Sequence, residues 1–487
     1  LGLGDSGLAM ARYLSSRGYA VRVADTRSEP PRLAGLRTEL PLAEFIAGDF
    51  SPALLDDVQL LALSPGLSPT RSPATPLVKA AGKRKIEVVG EIELFARELT
   101  RLKAERGYAP QIIGVTGTNG KTTTTRLTGL MIEAARKRVK VAGNITPPAL
   151  DALRARAIEN DLPDVWVIEL SSFQLATTRS LRCDVAAVLN IADNHLDWHG
   201  SLDDYSSAKA RIFGSKTVRV LNRDDARVAA MAKSNTEVVT FGSGAPTTSN
   251  SYGIVDDHGV AWLAWAEELA TSSRRKKAGD ESAPPPELFM HRLMPVDALA
   301  IHGRHNALNA LAAIALARAI GCDLARMMHA LSHYRGEPHR LQLIATIDGV
   351  QFYDDSKGTT VAATAAALEG VGVKGRKLVV ILGGDGKGQD FAPLAPPMAQ
   401  HARAAVLIGR DAPQIRAVLE RDASNVRLFD ARTLERAVSI AMDKAREGDA
   451  VLLSPACASL DMFRNYGHRG EVFAQAVHQL SMAGQPC

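Results

Sequence analysis

The sequence predicts an α/β protein of three domains: a Rossmann-like N-terminal domain, a central α/β domain of P-loop ATPase type, and a C-terminal Rossmann-like α/β domain. Strand-like apolar runs alternate with helical ones along the whole chain. A glycine-rich turn stands between a strand-like run and a helical one at residues 117–120, and another leads into a helical run at residues 2–7. The length of 487 residues suits about three domains.

Composition narrows the class. A hydrophobic content of 46% with 23% charged residues is that of a globular protein with several cores. Lys plus Arg number 58 against 53 Asp plus Glu, a net charge of +5 dispersed except at 83–85 and 274–277. That balance fits small anionic substrates and argues against a nucleic-acid surface. The four cysteines, Cys183, Cys322, Cys457 and Cys487, lack metal-ligand spacing and are too few to staple the chain, so a reducing cytoplasm is expected. No apolar run reaches the roughly 18 residues of a membrane span, and no signal peptide is read at the start.

The first domain is placed at 1–92. It opens Gly2-Leu3-Gly4-Asp5-Ser6-Gly7, continues as a helix to Arg17, and then carries a strand over 20–24 that ends at Asp25. This is half of a Rossmann unit, and the strand expected before the turn would precede Leu1. Glycines there permit a tight turn and close approach of backbone to phosphate, and Asp25 stands where a ribose or sugar hydroxyl is held. Ser64-Pro65-Gly66 falls at the same carboxyl edge of the sheet. Taken alone, this fingerprint suggests NAD and a dehydrogenase.

The second domain is placed at 93–335. A strand-like run over 112–115 leads into Thr116-Gly117-Thr118-Asn119-Gly120-Lys121-Thr122-Thr123, and a helix is expected over 121–135. An anion at that helix N-terminus would meet unpaired N–H groups. Lys121 can reach the β and γ phosphates of ATP, and the Thr122 hydroxyl can ligate Mg²⁺. Val115 stands where the common P-loop has its first glycine. A second strand-like run, 165–168, ends at Glu169, a carboxylate able to hold Mg²⁺ beside a nucleotide. A third ends in Asn190-Ile191-Ala192-Asp193-Asn194-His195. Either Glu169 or His195 by itself reads as an ordinary polar loop residue; strand ends carrying Thr122, Glu169 and His195 together point to a metal-nucleotide site. Lys209, on spacing alone, is a surface lysine. The stretch 243–295, with its Arg/Lys run at 274–277 and three prolines at 284–286, suits a polar, exposed insertion more than a core element. The third domain, 336–487, alternates strand-like runs at 377–382, 404–408 and 450–453 with helical ones, implying another doubly wound sheet.

The chain resembles the Mur ligases, ATP-dependent amide-forming enzymes of peptidoglycan precursor synthesis. The resemblance lies in Thr116 to Thr122, Glu169, Asn190 with His195, Gly303-Arg304-His305-Asn306-Ala307-Leu308-Asn309, His339-Arg340 and Asp355-Ser356-Lys357. Within the family, Leu453-Ser454-Pro455-Ala456-Cys457-Ala458-Ser459-Leu460-Asp461 and Gly383-Gly384-Asp385-Gly386-Lys387 are most similar to members that add D-glutamate to UDP-N-acetylmuramoyl-L-alanine. Gly358, Thr360 and Thr146 stand where Ala, Asn and Gly are frequent in the family.

The resemblance implies that the first domain holds the UDP substrate, rather than NAD, through Asp5, Ser6, Asp25, Thr26, Arg27, Ser64 and Gly66, with Asn144 near the same substrate. It implies that Lys209 is carbamylated and so becomes an anionic ligand to Mg²⁺. Asn306, Asn309, Arg340 and Asp355 are implied as nucleotide contacts, and Lys357, Thr359, Lys387, Ser454 and Phe463 as D-glutamate contacts. His195 is assigned to the metal ahead of proton transfer. The third domain would close onto the second when ATP and the UDP substrate bind. The chain is expected to act as a cytoplasmic monomer with no nucleic-acid or membrane partner. Alternatives are another ligase of the superfamily, such as a folylpolyglutamate synthase, the NAD-dependent dehydrogenase above, and a nucleotide-binding regulator without chemistry.

Overall fold

A computed structural model describes residues 1–269, 287–301, 303–372, 375–386 and 388–483. Contacts divide the chain into two compact units: residues 1–296 with 308–332, and 297–307 with 333–487.

The first unit begins with two small parallel pairs. β1 (Arg22–Asp25) pairs with β2 (Glu44–Ala47), and β3 (Leu60–Ala62) with β4 (Glu87–Val89). Residues 1 and 2 are tied to both pairs: Gly2 N–H donates to Ala24 O at 2.8 Å, and Ser64 N–H donates to Leu1 O at 2.9 Å. Gly7, in the helix Asp5–Ser16, has no room for a side chain, since a Cβ there would lie 2.0 Å from Gly2 O. A cavity of about 600 Å³, lined by residues that include Met10, Leu14, Val23 and Leu61, lies beside these strands.

The central sheet has nine strands among the described residues. They are β5 (Gln111–Thr116), β6 (Val139–Gly143), β7 (Val165–Glu169), β8 (Val185–Val188), β9 (Val218–Asn222), β10 (Val238–Phe241), β11 (Ser251–Asp257), β12 (Val260–Glu268) and β13 (Leu288–Pro295), in the order β13-β12-β11-β10-β9-β8-β5-β7-β6. β5, β7 and β8 are almost wholly buried, as parallel strands covered by helices on both faces must be, and read as unbroken apolar runs. Their carboxyl ends fall side by side because β5 lies between β7 and β8.

The stretch read as a polar insertion differs from that expectation. Residues 251–268 and 288–295 carry three strands that lengthen the sheet: β11 joins β10 in parallel, and β12 and β13 follow in antiparallel register, with Tyr252, Leu263, Ala264, Trp265 and Ala266 buried. The polar composition that prompted the reading comes largely from 270–286, which lies outside the described residues.

The second unit holds β14 (Gln342–Ile347), β15 (Val350–Asp354), β16 (Leu378–Gly383), β17 (Ala402–Ile408), β18 (Arg427–Asp430) and β19 (Ala450–Leu453), in the order β14-β15-β19-β16-β17-β18. All neighbours are parallel except β14 and β15. β16 and β19 are buried throughout, and apolar clusters lie on both faces, one around Val380, Leu407 and Leu452, the other around Ile381, Val406 and Phe473. That is the doubly wound sheet expected from the strand-like runs.

Candidate active site

In the first unit the site grows from the carboxyl ends of β5, β7 and β8. The turn 117–120 leaves β5 and enters the helix Lys121–Ala134. Gly120 has φ +82°, and a Cβ there would lie 2.2 Å from Asn309 Oδ1, so only glycine fits. Thr122, Thr123 and Thr118 are buried. Lys121 Nζ donates to Gly117 O at 2.9 Å and Thr118 O at 2.8 Å, which curls the side chain back over the turn it follows. Asn309 is buried, and Thr124 Oγ1 lies 3.4 Å from its Oδ1.

Glu169 ends β7 and is 2% exposed. Its Oε1 accepts from Asn144 Nδ2 at 2.9 Å, while Asn144 N–H donates to Glu169 O at 2.8 Å. Its other oxygen, Oε2, is buried with no protein donor. A buried carboxylate oxygen left open in this way suits a hard cation. Among the described residues no three His, Cys, Asp or Glu side chains cluster.

Lys209 overturns the surface reading. It lies in the helix Leu202–Ala210, is 1% exposed, and donates from Nζ to Gly117 O at 2.8 Å, with Thr116 Oγ1 at 3.4 Å. The Tyr205 ring covers the amine at 4.5 Å, and Tyr205 Oη lies 3.1 Å from Thr118 Oγ1. Burial drives the Lys209 ammonium well below its ordinary pKa, repulsion from Lys121 adds to the fall, and Glu169 opposes it. A neutral amine is the form that can take up carbon dioxide. Its spacing signal was present but hard to read, because Tyr205, Ala208 and Lys209 form the buried face of a helix that is otherwise polar.

His195 caps the short helix Leu196–His199 with φ +55° and is exposed, its ring edge-on to Phe173 at 4.7 Å. His199 Nε2 lies 2.9 Å from Ser172 Oγ, and burial pulls its pKa down to about 4, helped by Lys209 and His195. Asn190, which sequence reasoning left without a role, joins its side chain to the backbone of Asn119.

At the N-terminal turn, Asp25 is buried and accepts from Leu3 N–H at 2.7 Å, Arg27 N–H at 3.0 Å, and Arg27 Nε and Nη2, both at 2.8 Å. Hydrogen bonds from Arg27 are the first cause that lowers its carboxyl to about 2. Asp5 is ion-paired with Arg32, and Ser64 Oγ donates to Gly2 O at 2.8 Å. Asn144 is held at Glu169 by the two hydrogen bonds given above.

In the second unit, Asp355 follows β15 and is buried. Its Oδ2 accepts from Ser454 Oγ at 2.7 Å, and Ser454 Oγ lies 3.0 Å from Thr364 Oγ1. Burial pushes Asp355 up to about 7, with Ser454 and Arg340 opposing. Lys357 N–H donates to His339 O at 3.0 Å, its Nζ lies 5.4 Å from the centre of the Tyr466 ring, and Thr359 N–H donates to Lys357 O at 2.9 Å. Phe463 N–H donates to Ser459 O at 2.8 Å. Lys387 lies outside the described residues.

Comparison with known proteins identifies the architecture. Family models described as Mur ligase MurD-like, N-terminal domain; Mur ligase middle domain; and Mur ligase, glutamate ligase domain match residues 1–90, 115–317 and 339–457. The UDP-N-acetylmuramoylalanine-D-glutamate ligase of Ralstonia nicotianae is 55% identical over 99% of this chain and 96% of its own. The enzyme of the same name from Burkholderia vietnamiensis is 55% identical with the same coverage. Among solved structures, the UDP-N-acetylmuramate-alanine ligase of Thermotoga maritima shares the fold at TM-score 0.58 and 21% identity, covering 98% of each chain. A folylpolyglutamate synthase of Mycobacterium tuberculosis shares it at TM-score 0.55 and 16% identity, over 81% of this chain and 95% of its own. The chain belongs to the Mur ligase family.

Proposed function

We propose that this chain joins D-glutamate to UDP-N-acetylmuramoyl-L-alanine by ATP-dependent amide formation, as a cytoplasmic, monomeric enzyme of peptidoglycan precursor synthesis. Identity of 55% to D-glutamate ligases over 99% of the chain carries the reading. The grouping of Lys121 and Lys209, both on helices, with Glu169 at the end of β7 supports it. No helix among the described residues is long and apolar enough to cross a membrane.

In this reading a carboxylate oxygen of the UDP substrate attacks the γ-phosphorus, and ADP leaves with the electron pair of the broken P–O bond. The amine of D-glutamate then adds to the acyl phosphate carbon. The tetrahedral intermediate loses a proton from nitrogen and expels inorganic phosphate. Catalysis of this kind rests on positioning and charge neutralisation. Lys121 offsets charge on the transferring phosphoryl group, with Arg340 in the same role, and Asn306, Asn309 and Asp355 orient the nucleotide. Asn144, held by Glu169, orients the reacting end of the UDP substrate. Asp5, Ser6, Asp25, Thr26, Arg27, Ser64 and Gly66 hold its nucleotide end, and Lys357, Thr359, Lys387, Ser454 and Phe463 receive D-glutamate. The neutral Lys209 amine adds to carbon dioxide and releases a proton, giving a carbamate. Thr122, Glu169, His195 and that carbamate would hold Mg²⁺, which when bound neutralises phosphate charge.

The test is phosphate release with ATP, Mg²⁺ and UDP-N-acetylmuramoyl-L-alanine, offering D-glutamate, L-lysine, meso-diaminopimelate or no amine. Release that depends on D-glutamate is expected. Release that depends on another amine would move the chain to a different member of the family, and equal silence with all of them would sink the D-glutamate reading.

A further inference from the structure

We propose that Asn190 is a positioning residue for the phosphate loop, acting through the backbone of Asn119. The inference rests on the ATP-dependent reading above. β5 and β8 pair in parallel from Ile113 with Val185 to Thr116 with Val188. Beyond the strand ends the pairing does not stop. Leu189 N–H donates to Thr116 O at 2.9 Å, Thr118 N–H donates to Asn190 O at 2.9 Å, and Ala192 N–H donates to Thr118 Oγ1 at 3.0 Å. The Asn190 side chain then takes the place of a strand. Its Oδ1 accepts from Asn119 N–H at 2.8 Å, and its Nδ2 donates to Asn119 O at 3.2 Å.

Both backbone groups of Asn119 are thereby committed to one carboxamide, although Asn119 itself is exposed. The peptide so fixed leads directly into Gly120, at φ +82°, and the first turn of the helix Lys121–Ala134. Rotation of the Asn119 peptide would re-aim the N–H groups that follow, the ones a helix N-terminus presents to phosphate. The clamp requires a donor and an acceptor on one planar group at this reach. Aspartate keeps the shape but loses the donor, sets an oxygen against Asn119 O, and brings negative charge beside the anion site. Alanine removes both bonds and adds no charge.

The test compares the full chain with Asn190→Asp and Asn190→Ala, by steady-state phosphate release with each substrate varied and by calorimetry with a non-hydrolysable ATP analogue. Two lost hydrogen bonds predict a KM for ATP, and an analogue Kd, raised about tenfold in the alanine variant and more in the aspartate variant. The KM values for D-glutamate and the UDP substrate, and the thermal midpoint, should stay near those of the parent. Unchanged nucleotide affinity would overturn the proposal. So would a parallel loss of all three affinities with the midpoint, which marks a merely structural residue. Should the parent chain release no phosphate with any amine, the reading of its function fails, while calorimetry still decides the role of Asn190.

Discussion

Lys209 is closed off from water by Tyr205 and by the strand end it touches, and burial favours its neutral amine. An ammonium in that place would add a second cation beside Lys121, whereas a carbamate would add an anion where Glu169 already leaves an oxygen open. Lys209→Met fills much the same apolar path without either charge. It should lower D-glutamate-dependent phosphate release by about a hundredfold or more, the scale seen when a transition-state electrostatic partner is removed. Circular dichroism should stay unchanged. Activity within a few-fold of the parent would show that the amine has no part in the reaction. Lys209 also marks a limit of sequence reading at this scale. Spacing presents it as one charge on a polar helix, and only the family resemblance singles it out. Lys121 and Gly120 are legible because chemistry and sterics allow few alternatives: a cation must follow the turn, and Gly120 has both a positive φ and a neighbour too close for a Cβ.

At the scale of elements, the strand-turn-helix at 111–134 and the strands ending at Glu169 and Val188 were legible because buried parallel strands are continuous apolar runs. β11 and β12 were not, since Trp262, Leu263 and Trp265 sit within a stretch whose average composition is set by the charged and proline-rich residues beyond it. Nor could the sequence reveal how helices are joined. Glu91 opens the helix Glu91–Arg106, is 1% exposed, and accepts from Leu150 N–H at 2.7 Å at the start of the helix Ala149–Ile158. Burial pushes its carboxyl from 4.5 up to about 7, with the bond from Leu150 opposing. The folded pKa exceeds the unfolded one, so the unfolded chain gives up this proton first. Stability from this group is therefore full below about 4.5 and is lost as pH rises through about 7. Glu91→Gln keeps an acceptor and removes the ionisation. Urea unfolding at several pH values should show a flatter fall in stability for the variant, with a relative gain on the order of 1 to 3 kcal/mol above neutrality. Parallel profiles for the two proteins would mean that Glu91 does not titrate in this interval.

At the scale of the whole molecule, the doubly wound sheets were legible from the alternation of runs, and the family models match in the same order along the chain. What each domain binds was not legible from fold alone. The glycine-rich turn at 2–7 reads equally as a dinucleotide site, and folylpolyglutamate synthase shares the architecture at 16% identity. The D-glutamate reading thus stands on specific residues and on relatives at 55% identity. Its central claim is that the substrate carboxylate is activated as an acyl phosphate before the amine attacks. The most direct test supplies UDP-N-acetylmuramoyl-L-alanine with both carboxyl oxygens as oxygen-18, together with ATP, Mg²⁺ and D-glutamate, and reads the mass of the released phosphate. The account predicts one labelled oxygen in each phosphate and one retained in the new amide; amide product accompanied by unlabelled phosphate would contradict it.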